Sequence, residues 1–324
     1  MSDTAPLLRV RDLTVTYGTH RRKLSAVAGV SFEIREGETL GLVGESGCGK
    51  STTGRALMRI VEPSAGSIEL EGTELTTTTG KELRQLRTRM QMIFQDPISS
   101  LNPRRRVRDI VAEPLDCWRR AEGVERTTIV NNLLGKVGID PDVYGDRYPR
   151  QFSGGQCQRI SIARSLAMRP KLLICDEMVS ALDVSVQAQI LNLLEDLKAE
   201  YGLTLLFIAH DLAVVKNVSD RVAVMYLGKI CEIGPADTLY ESPEHPYTSF
   251  LLGAALEADP DSPVRGEVLA GEPPSPLRPP SGCRFRTRCP NATAKCASEE
   301  PPLVEVAPAH SVACHYPLST LARR

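Results

Sequence analysis

A glycine-rich loop that follows an apolar run constrains the fold of this chain more than any other feature. The loop, GESGCGKS at residues 44–51, fits the pattern G-x-x-x-x-G-K-S and comes directly after the apolar run Thr39–Val43. Glycines let backbone N–H groups surround a phosphate, and the dipole of a following helix favours the anion. The sequence therefore predicts a buried strand, a phosphate-binding loop and a helix over residues 51–61.

The loop carries the side chains that a nucleoside triphosphate and Mg²⁺ require. Lys50 is expected to reach the β- and γ-phosphate oxygens, and the Ser51 hydroxyl is expected to ligate Mg²⁺. The alternative is a glycine-rich turn with a structural role alone. The nucleotide-binding residues predicted here are Gly44, Glu45, Ser46, Gly47, Cys48, Gly49, Lys50, Ser51 and Thr52.

A second glycine-containing turn precedes a helix that the sequence predicts over residues 157–168. Its residues are Ser153, Gly154, Gly155 and Gln156. Ser153 can cap the helix, and the two glycines permit close backbone approach to an anion. Since one triphosphate needs only one such turn, a chain with two is expected to hydrolyse ATP only when paired. The tripeptide SGG is common in loops, so this segment is not decisive by itself.

Two adjacent carboxylates end a buried strand predicted over residues 172–175. Asp176 is expected to hold Mg²⁺ or its waters, and Glu177 is expected to polarise the attacking water as general base. A solvated turn is the alternative interpretation of such a pair. The phosphate-binding loop upstream favours the catalytic interpretation.

The order of segments predicts an α/β fold: a P-loop core with a mostly parallel sheet and an N-terminal antiparallel part. Residues 7–43 alternate between apolar and polar positions and are expected to form short strands with breaks at Gly18, Gly29 and Gly37. Residues 96–150 are rich in charge and proline, and they predict a helical insertion between two core strands. Later strands are expected to include a hairpin around Gly228-Lys229.

Composition and charge narrow the class of protein. The chain has 324 residues, 42% apolar and 24% charged, as in an ordinary globular protein, and its net charge of −1 gives no reason to expect a nucleic-acid partner. No apolar stretch approaches the roughly 20 residues that cross a bilayer. The first residues lack the apolar core of a signal peptide. We therefore expect a cytosolic protein that reaches a membrane only through a partner.

Taken in order, GESGCGKS, FSGGQ, LLICDE and SALD resemble the ATP-binding subunits of ABC transporters over roughly residues 7–255. The resemblance implies several further roles. Gln95 matches the Q-loop glutamine, His210 matches the switch histidine that contacts the γ-phosphate, and Tyr17 matches the aromatic residue that stacks on adenine. Asp183, which ends SALD, joins the predicted nucleotide-binding residues.

The resemblance also implies which residues catalyse hydrolysis and hold the metal. The catalytic residues are Glu177, His210 and Gln95, and the implied Mg²⁺ ligands are Ser51, Gln95 and Asp176. The chain departs from most relatives at Met178, where they have proline. Because proline would stiffen this turn, we expect Met178 to loosen Glu177 slightly without abolishing hydrolysis.

Three longer segments resemble the dipeptide and oligopeptide importer branch: QDPISSLNPRRRV at 95–107, DRYPRQFSGGQ at 146–156 and ESPEHPYTSFLL at 241–252. SALDVSVQAQILNLL looks more like its F-type ATPase than the D-type partner. The resemblance implies a head-to-tail pair with a D-type ATPase, with each ATP between one subunit's P-loop and the other's SGGQ turn. It further implies two transmembrane permease subunits, an extracytoplasmic substrate-binding protein and a peripheral location on the cytoplasmic face of the membrane.

Other functions stay open at this point. Close relatives of peptide importers carry nickel, glutathione or other small solutes, and the cargo is not named by this sequence. A soluble ABC protein acting in translation or DNA repair is a second class, although such proteins typically have two cassettes or a long coiled-coil insertion. A redox sensor is a third class.

The redox-sensor hypothesis rests on four cysteines in the last 42 residues, which have the spacing C-x5-C-x6-C-x17-C. They are Cys283, Cys289, Cys296 and Cys314. Disulfides are disfavoured in a reducing compartment, and zinc ribbons usually show C-x2-C pairs that are absent here. The segment GCRFRTRCP resembles the C-terminal region of peptide-importer ATPases, some of which carry a [4Fe–4S] cluster. We therefore expect a [4Fe–4S] cluster on the four cysteines, with zinc or no metal as alternatives; His315, next to Cys314, is not expected to serve as a substitute ligand.

The domain organisation follows from these segments. Residues 1–255 are predicted to form the ABC ATPase domain, with a helical subdomain at about 96–155. Residues 256–281 are predicted to be a linker, because seven prolines lie there without periodicity. Residues 282–324 are predicted to form a small cysteine-rich region.

Overall fold

The computed structural model describes residues 5–19, 22–256 and 274–321. The chain divides into two compact units. The first unit consists of Met1–Thr77 and Phe207–Arg324, and the second consists of Thr78–Leu206. In sequence, the second unit is thus one continuous segment that interrupts the first.

The elements alternate between strands and helices along most of the chain. The strands are β1, Leu8–Thr19; β2, Arg22–Ile34; β3, Thr39–Val43; β4, Ala65–Leu70; β5, Thr73–Glu74; β6, Met90–Ile93; β7, Leu172–Asp176; β8, Thr204–Ile208; β9, Arg221–Tyr226; β10, Lys229–Pro235; β11, Val304–Ala307; and β12, His310–Val312. The helices are α1, Lys50–Leu57; α2, Gly80–Arg87; α3, Val107–Trp118; α4, Gly123–Lys136; α5, Pro141–Tyr144; α6, Gly154–Leu166; α7, Val184–Tyr201; α8, Leu212–Val218; α9, Ala236–Glu241; α10, Pro246–Leu256; α11, Ala294–Ser298; and α12, Leu318–Leu321. None of the helices in the described ranges is long and apolar enough to cross a bilayer.

The first unit contains an antiparallel sheet with the strand order β2-β1-β4-β5. The predicted break at Gly29 is wrong, because β2 continues through it, whereas β1 ends at Thr19, one residue after the predicted break at Gly18. Gly29 has a φ of 70°, and the register shifts where its neighbours pair with Leu13 and Thr14. A glycine can occupy such a bulge without ending the strand. The break at Gly37 is confirmed.

The same unit contains a second group of strands, in the order β11-β12-β10-β9-β3. Strand β3 has the predicted bounds, is buried throughout and runs parallel to β9. The hairpin that the sequence placed at Gly228 is confirmed by the antiparallel pairing of β9 with β10. Strands β10, β12 and β11 are also antiparallel to one another, so the fold is α/β with mixed rather than mostly parallel pairing.

The second unit is built around the parallel pair β6 and β7. The start of β8 belongs to it, and the Thr204 N–H donates to the Lys171 carbonyl at 2.9 Å. Helices α3, α4 and α5 lie between β6 and β7 in sequence, which confirms the predicted helical insertion. Helix α7 buries Ile190, Leu194 and Leu197 at helical spacing, and Gly202, whose φ is 62°, is its C-cap.

Residues 274–321 pack as part of the first unit. Strand β12 pairs with β10, and the buried ring of Phe285 contacts the rings of Tyr226, Tyr247 and His245. The predicted linker 256–281 falls largely on residues 257–273, which lie outside the described residues. The proposed domain bounds stay a prediction.

His245 gives this unit a pH-dependent stability. Burial lowers the pKa of His245 to about 4, and its Nδ1 accepts the Tyr247 backbone N–H at 3.0 Å. The unfolded side chain titrates near about 6.5 and therefore binds a proton that the folded one excludes. The stability contributed by neutral His245 is complete above about pH 6.5, and about 3 kcal/mol is lost as the pH falls through 4.

We therefore expect His245→Asn, whose amide oxygen can accept the same N–H, to flatten this dependence. Urea unfolding at a series of pH values from about 7 to 5 measures the free energy of unfolding of both proteins. An equal loss of stability in the variant and the wild type would contradict the assignment.

Candidate nucleotide site

Gly49 sets the shape of the phosphate loop. It has a φ of 108°, and a Cβ placed on it would lie 2.2 Å from the Ala26 carbonyl oxygen. Any side chain would therefore displace the backbone of β2. Gly49 is also the N-cap of α1, and no side chain caps the helix there. An uncapped helix N-terminus directly after a glycine loop is the arrangement that binds phosphate.

Lys50 turns back over this loop. Its side chain is buried, and its Nζ donates to the Gly44 carbonyl at 2.8 Å and to the Glu45 carbonyl at 3.2 Å. The two carbonyls hold the ammonium inside the loop, where it can meet the oxygens of a bound triphosphate. The contact of Lys50 with the β- and γ-phosphates stays a prediction.

His210 follows the end of β8 and the phosphate loop follows β3, and both of these strand ends belong to the first unit. The Ala209 N–H, which follows β8, donates to the Leu42 carbonyl of β3 at 3.2 Å. His210 is exposed, and the next residue, Asp211, caps α8 by accepting the Ala213 N–H. Tyr17 lies on β1 with 40% of its surface exposed. The contact of Tyr17 with adenine and that of His210 with the γ-phosphate stay predictions.

Tyr247 contacts the phosphate loop and was not predicted from the sequence. Its hydroxyl accepts the Glu45 backbone N–H at 2.9 Å, although the two residues are 202 positions apart. No local pattern signals such a contact, because only the fold brings α10 to the loop.

The second unit holds the predicted catalytic carboxylate. Gln95 and Glu177 follow the parallel strands β6 and β7, so both lie at the carboxyl end of the pair. The Gln95 Nε2 donates to Glu177 Oε2 at 3.0 Å. The structure thus brings these two predicted residues into direct contact, with the amide placed to orient the carboxylate.

The backbone of Glu177 is unusual for a residue that is not glycine. Its φ is 48°, in the left-handed region, and its carbonyl accepts the Ser180 hydroxyl at 2.8 Å. Such conformations cost free energy and often mark functional sites. Asp176 is buried at the end of β7, and Met178 is buried as well. The expected loosening of Glu177 by Met178 stays a prediction.

The turn at residues 153–156 forms a complete capping box. The Ser153 Oγ accepts the Gln156 N–H at 3.3 Å, and the Gln156 Oε1 accepts the Ser153 N–H at 3.0 Å. Helix α6 therefore begins at Gly154 rather than near Cys157, because this reciprocal cap overcomes the low helix propensity of two glycines. Asp183 is exposed and occupies the N-cap position of α7, and its binding of nucleotide stays a prediction.

The two glycines of this turn have different packing, which gives a matched pair of variants. A Cβ on Gly155 would lie 2.6 Å from Val186 Cγ1, whereas one on Gly154 would lie 3.6 Å from Leu182 Cδ2, an ordinary contact. We expect Gly155→Ala to lower the free energy of unfolding by about 1–3 kcal/mol and Gly154→Ala to lower it by much less. Urea unfolding of both variants measures the difference. Equal losses of unfolding free energy in the two variants would show that the Val186 side chain can move away from the new methyl group without destabilising the fold.

The four C-terminal cysteines border one small cavity with a volume of about 10 Å³, room for about one water molecule. Burial raises the pKa of Cys314 to about 12, and the charges of the other three thiols contribute to this rise. His315 borders the same cavity, and its Nε2 pairs with the Glu299 carbonyl. Within the described residues, no group of three or more His, Cys, Asp or Glu side chains is arranged to hold a metal ion. The expected metal centre is therefore not supported by this geometry.

Comparison with known proteins decides the family. Residues 27–180 match the family described as ABC transporter, and residues 231–296 match the oligopeptide/dipeptide transporter C-terminal region. The chain is 52% identical to the putative oligopeptide transport ATP-binding protein YkfD of Bacillus subtilis, covering 96% of this chain and 95% of that protein. The chain belongs to the ATP-binding proteins of ABC transporters. It is an ABC-type ATPase.

Further relatives and solved structures agree with this membership. The probable peptide ABC transporter ATP-binding protein y4tS of Sinorhizobium fredii is 51% identical over 97% of this chain and 90% of that protein. The post-hydrolysis dimer of the cassette MJ0796 with ADP and Pi has a TM-score of 0.65 and 27% identity, covering 71% of this chain and 98% of that one. The cassette cbiO1 of Clostridium perfringens, part of the ABC transporter complex cbiONQ, has a TM-score of 0.66 and 26% identity, covering 79% of this chain and 96% of that one.

Proposed function

We propose that this ABC ATPase energises the import of dipeptides or oligopeptides across the cytoplasmic membrane, from a peripheral position on its cytoplasmic face. The observation that carries the proposal is the match of residues 231–296 to the oligopeptide/dipeptide transporter C-terminal region. It is supported by relatives named for peptide transport that are 49–52% identical over at least 95% of this chain. Import of another small solute, such as nickel or glutathione, is the alternative.

In the proposed reaction, a water molecule attacks the γ-phosphorus of ATP and gives a proton to the Glu177 carboxylate, while the bond to the β-phosphate oxygen breaks and ADP leaves. Gln95 orients Glu177 through their hydrogen bond. Lys50 stabilises the negative charge on the phosphates, and His210 contacts the γ-phosphate. Mg²⁺, when bound, neutralises phosphate charge, and its proposed ligands are the oxygen atoms of Ser51, Gln95 and Asp176.

The ATPase is proposed to work as a head-to-tail pair with a D-type subunit, with itself as the F-type member. The capping box at residues 153–156 supports this part, because it leaves two glycines at the start of α6, where a phosphate of the partner's ATP can approach backbone N–H groups. Asp183, exposed before α7, is proposed to lie in the same interface. ATP then holds the pair together, and hydrolysis releases it.

The remaining partners are two transmembrane permease subunits and, through them, an extracytoplasmic substrate-binding protein. The segment after Gln95 is the proposed contact with the permease subunits. Asp96 accepts the N–H groups of Ile98 and Ser99, and the resulting turn leaves 57% of the Ile98 surface exposed. An exposed apolar side chain on a fixed turn suits docking to another protein.

Reconstitution tests the transport function. The chain would be expressed with the neighbouring permease, ATPase and binding-protein genes, and the complex would be placed in proteoliposomes with labelled di- and oligopeptides. We expect ATP-dependent peptide accumulation, and none with nickel or glutathione. Accumulation of either of these solutes without peptide would replace the proposal with the alternative, and failure to copurify with membrane subunits would contradict both.

We also propose that residues 282–324 are a cysteine-rich region that binds a [4Fe–4S] cluster. Four thiols bordering one cavity are the donor set that such a cluster uses. Since the cavity has room for about one water, the thiols must separate to receive it. Anaerobic purification should yield a brown protein with about four iron atoms, lost in Cys289→Ser but not in Cys117→Ser. Zinc, or a colourless protein free of iron, would refute the cluster.

A further inference from the structure

Arg288 joins the C-terminal segment to the phosphate loop. Its Nη1 donates to both carboxylate oxygens of Glu45, at 3.0 and 2.9 Å, across 243 positions of sequence. The Arg288 side chain is 7% exposed and the Glu45 side chain is 26% exposed. A charge-assisted hydrogen bond that is shielded from water to this degree is stronger than one on the surface.

Glu45 is thereby held at three points within the loop. Arg288 binds its carboxylate, the Tyr247 hydroxyl accepts its backbone N–H, and Lys50 donates to its carbonyl. Two of these three groups lie outside the loop, on α10 and on the C-terminal segment. The shape of the loop before any nucleotide binds therefore depends on residues far away in sequence.

The ion pair between Arg288 and Glu45 also lowers the negative charge next to the bound phosphates. Glu45 lies inside the segment that surrounds a tetra-anionic nucleotide, and an unpaired carboxylate there would repel it. Arg288 cancels this charge from a position that the surrounding residues fix. Burial opposes its ionisation, but the hydrogen bonds with Glu45 and Tyr226 raise the pKa of Arg288 overall, so its charge is permanent.

The surroundings of Arg288 hold it in this place. Its guanidinium lies 6.0 Å from the centre of the Tyr226 ring, and its Nη1 is 3.5 Å from the Tyr226 hydroxyl. The Tyr226 ring packs edge-on against Phe285, three positions before Arg288. The arginine is thus anchored by the aromatic cluster of the first unit.

We propose that Arg288 is a positioning residue for ATP hydrolysis, acting through Glu45 to shape the phosphate loop and to neutralise a negative charge beside it. Because it acts on nucleotide binding and leaves the attacking water alone, its loss should change KM for ATP rather than kcat. The inference rests on ATP hydrolysis at residues 44–51, which the wild-type protein tests in the same experiment.

The test combines titration of the full chain with a fluorescent ATP analogue and steady-state hydrolysis by the assembled transporter. We expect Arg288→Met to raise the Kd and KM for ATP about tenfold and to change kcat by less than about threefold. Arg288→Lys should recover most of the loss. Arg286→Met is the matched control, since that arginine lies two positions away and is bound to Ser281.

A double variant separates charge neutralisation from a general folding defect. If Arg288 neutralises the charge of Glu45, adding Glu45→Gln to Arg288→Met should lower Kd by at least about threefold relative to Arg288→Met alone, because the unpaired carboxylate is gone. Unchanged Kd in Arg288→Met, or no recovery in the double variant, would overturn the proposal. A wild type that neither binds nor hydrolyses ATP would instead overturn the assignment of the site itself.

Discussion

Replacing Glu177 by glutamine is expected to lower kcat for ATP hydrolysis by about 10²–10⁴-fold. The amide has nearly the shape of the carboxylate but cannot take a proton from water. Its oxygen can still accept the Gln95 Nε2 hydrogen bond that the wild-type carboxylate accepts at 3.0 Å, so the local geometry is preserved. ATP binding should be retained, because Glu177 acts on the attacking water. Phosphate release by the assembled transporter measures the rate.

The same variant tests the proposed pairing. With binding intact and hydrolysis stopped, ATP should accumulate in a closed pair, which gel filtration of the ATPase subunits in the presence of ATP would detect. Glu195→Gln, an exposed position on α7, is the control for removal of a carboxylate. A Glu177→Gln rate above about a tenth of the wild type would exclude this residue as the general base. Absence of ATP-dependent association would count against the pair.

Buried parallel strands and the loops that follow them were predictable from sequence. Strands β3 and β7 are continuous apolar runs because neighbouring layers cover both faces, and such runs show in the sequence without any knowledge of the fold. The phosphate loop after β3 and Glu177 directly after β7 were therefore predictable as the segments that follow buried strands. The contact of Gln95 with Glu177 follows from the same logic, since parallel neighbours end at one edge.

Features set by distant contacts or by backbone compensation were not predictable. Gly29 looked like a strand end, yet a bulge absorbs it and β2 continues. Gly154 was predicted to precede the helix, yet α6 begins there because Ser153 and Gln156 form reciprocal hydrogen bonds that cap it. The pairing of Arg288 with Glu45 joins segments 243 positions apart and leaves no local signal.

Replacing Lys50 by alanine is expected to weaken ATP binding by about 10²–10⁴-fold, because the triphosphate loses a buried ammonium and several charge-assisted hydrogen bonds. The ammonium also donates to the Gly44 and Glu45 carbonyls, so the variant loses part of the support that shapes the empty loop. Titration of the full chain with a fluorescent ATP analogue gives the Kd. Hydrolysis by the assembled transporter should fall in parallel.

Thermal unfolding without nucleotide separates the two contributions. If Lys50 acts mainly on phosphate, the variant should unfold within a few degrees of the wild type, yet ATP should raise the unfolding temperature of the wild type alone. Lys81→Ala, at an exposed position of α2, controls for the loss of a lysine. Normal ATP binding by Lys50→Ala would mean that residues 44–51 are not the phosphate site. The pairing of Arg288 with Glu45 would then stabilise the fold of this loop without contributing to ligand binding.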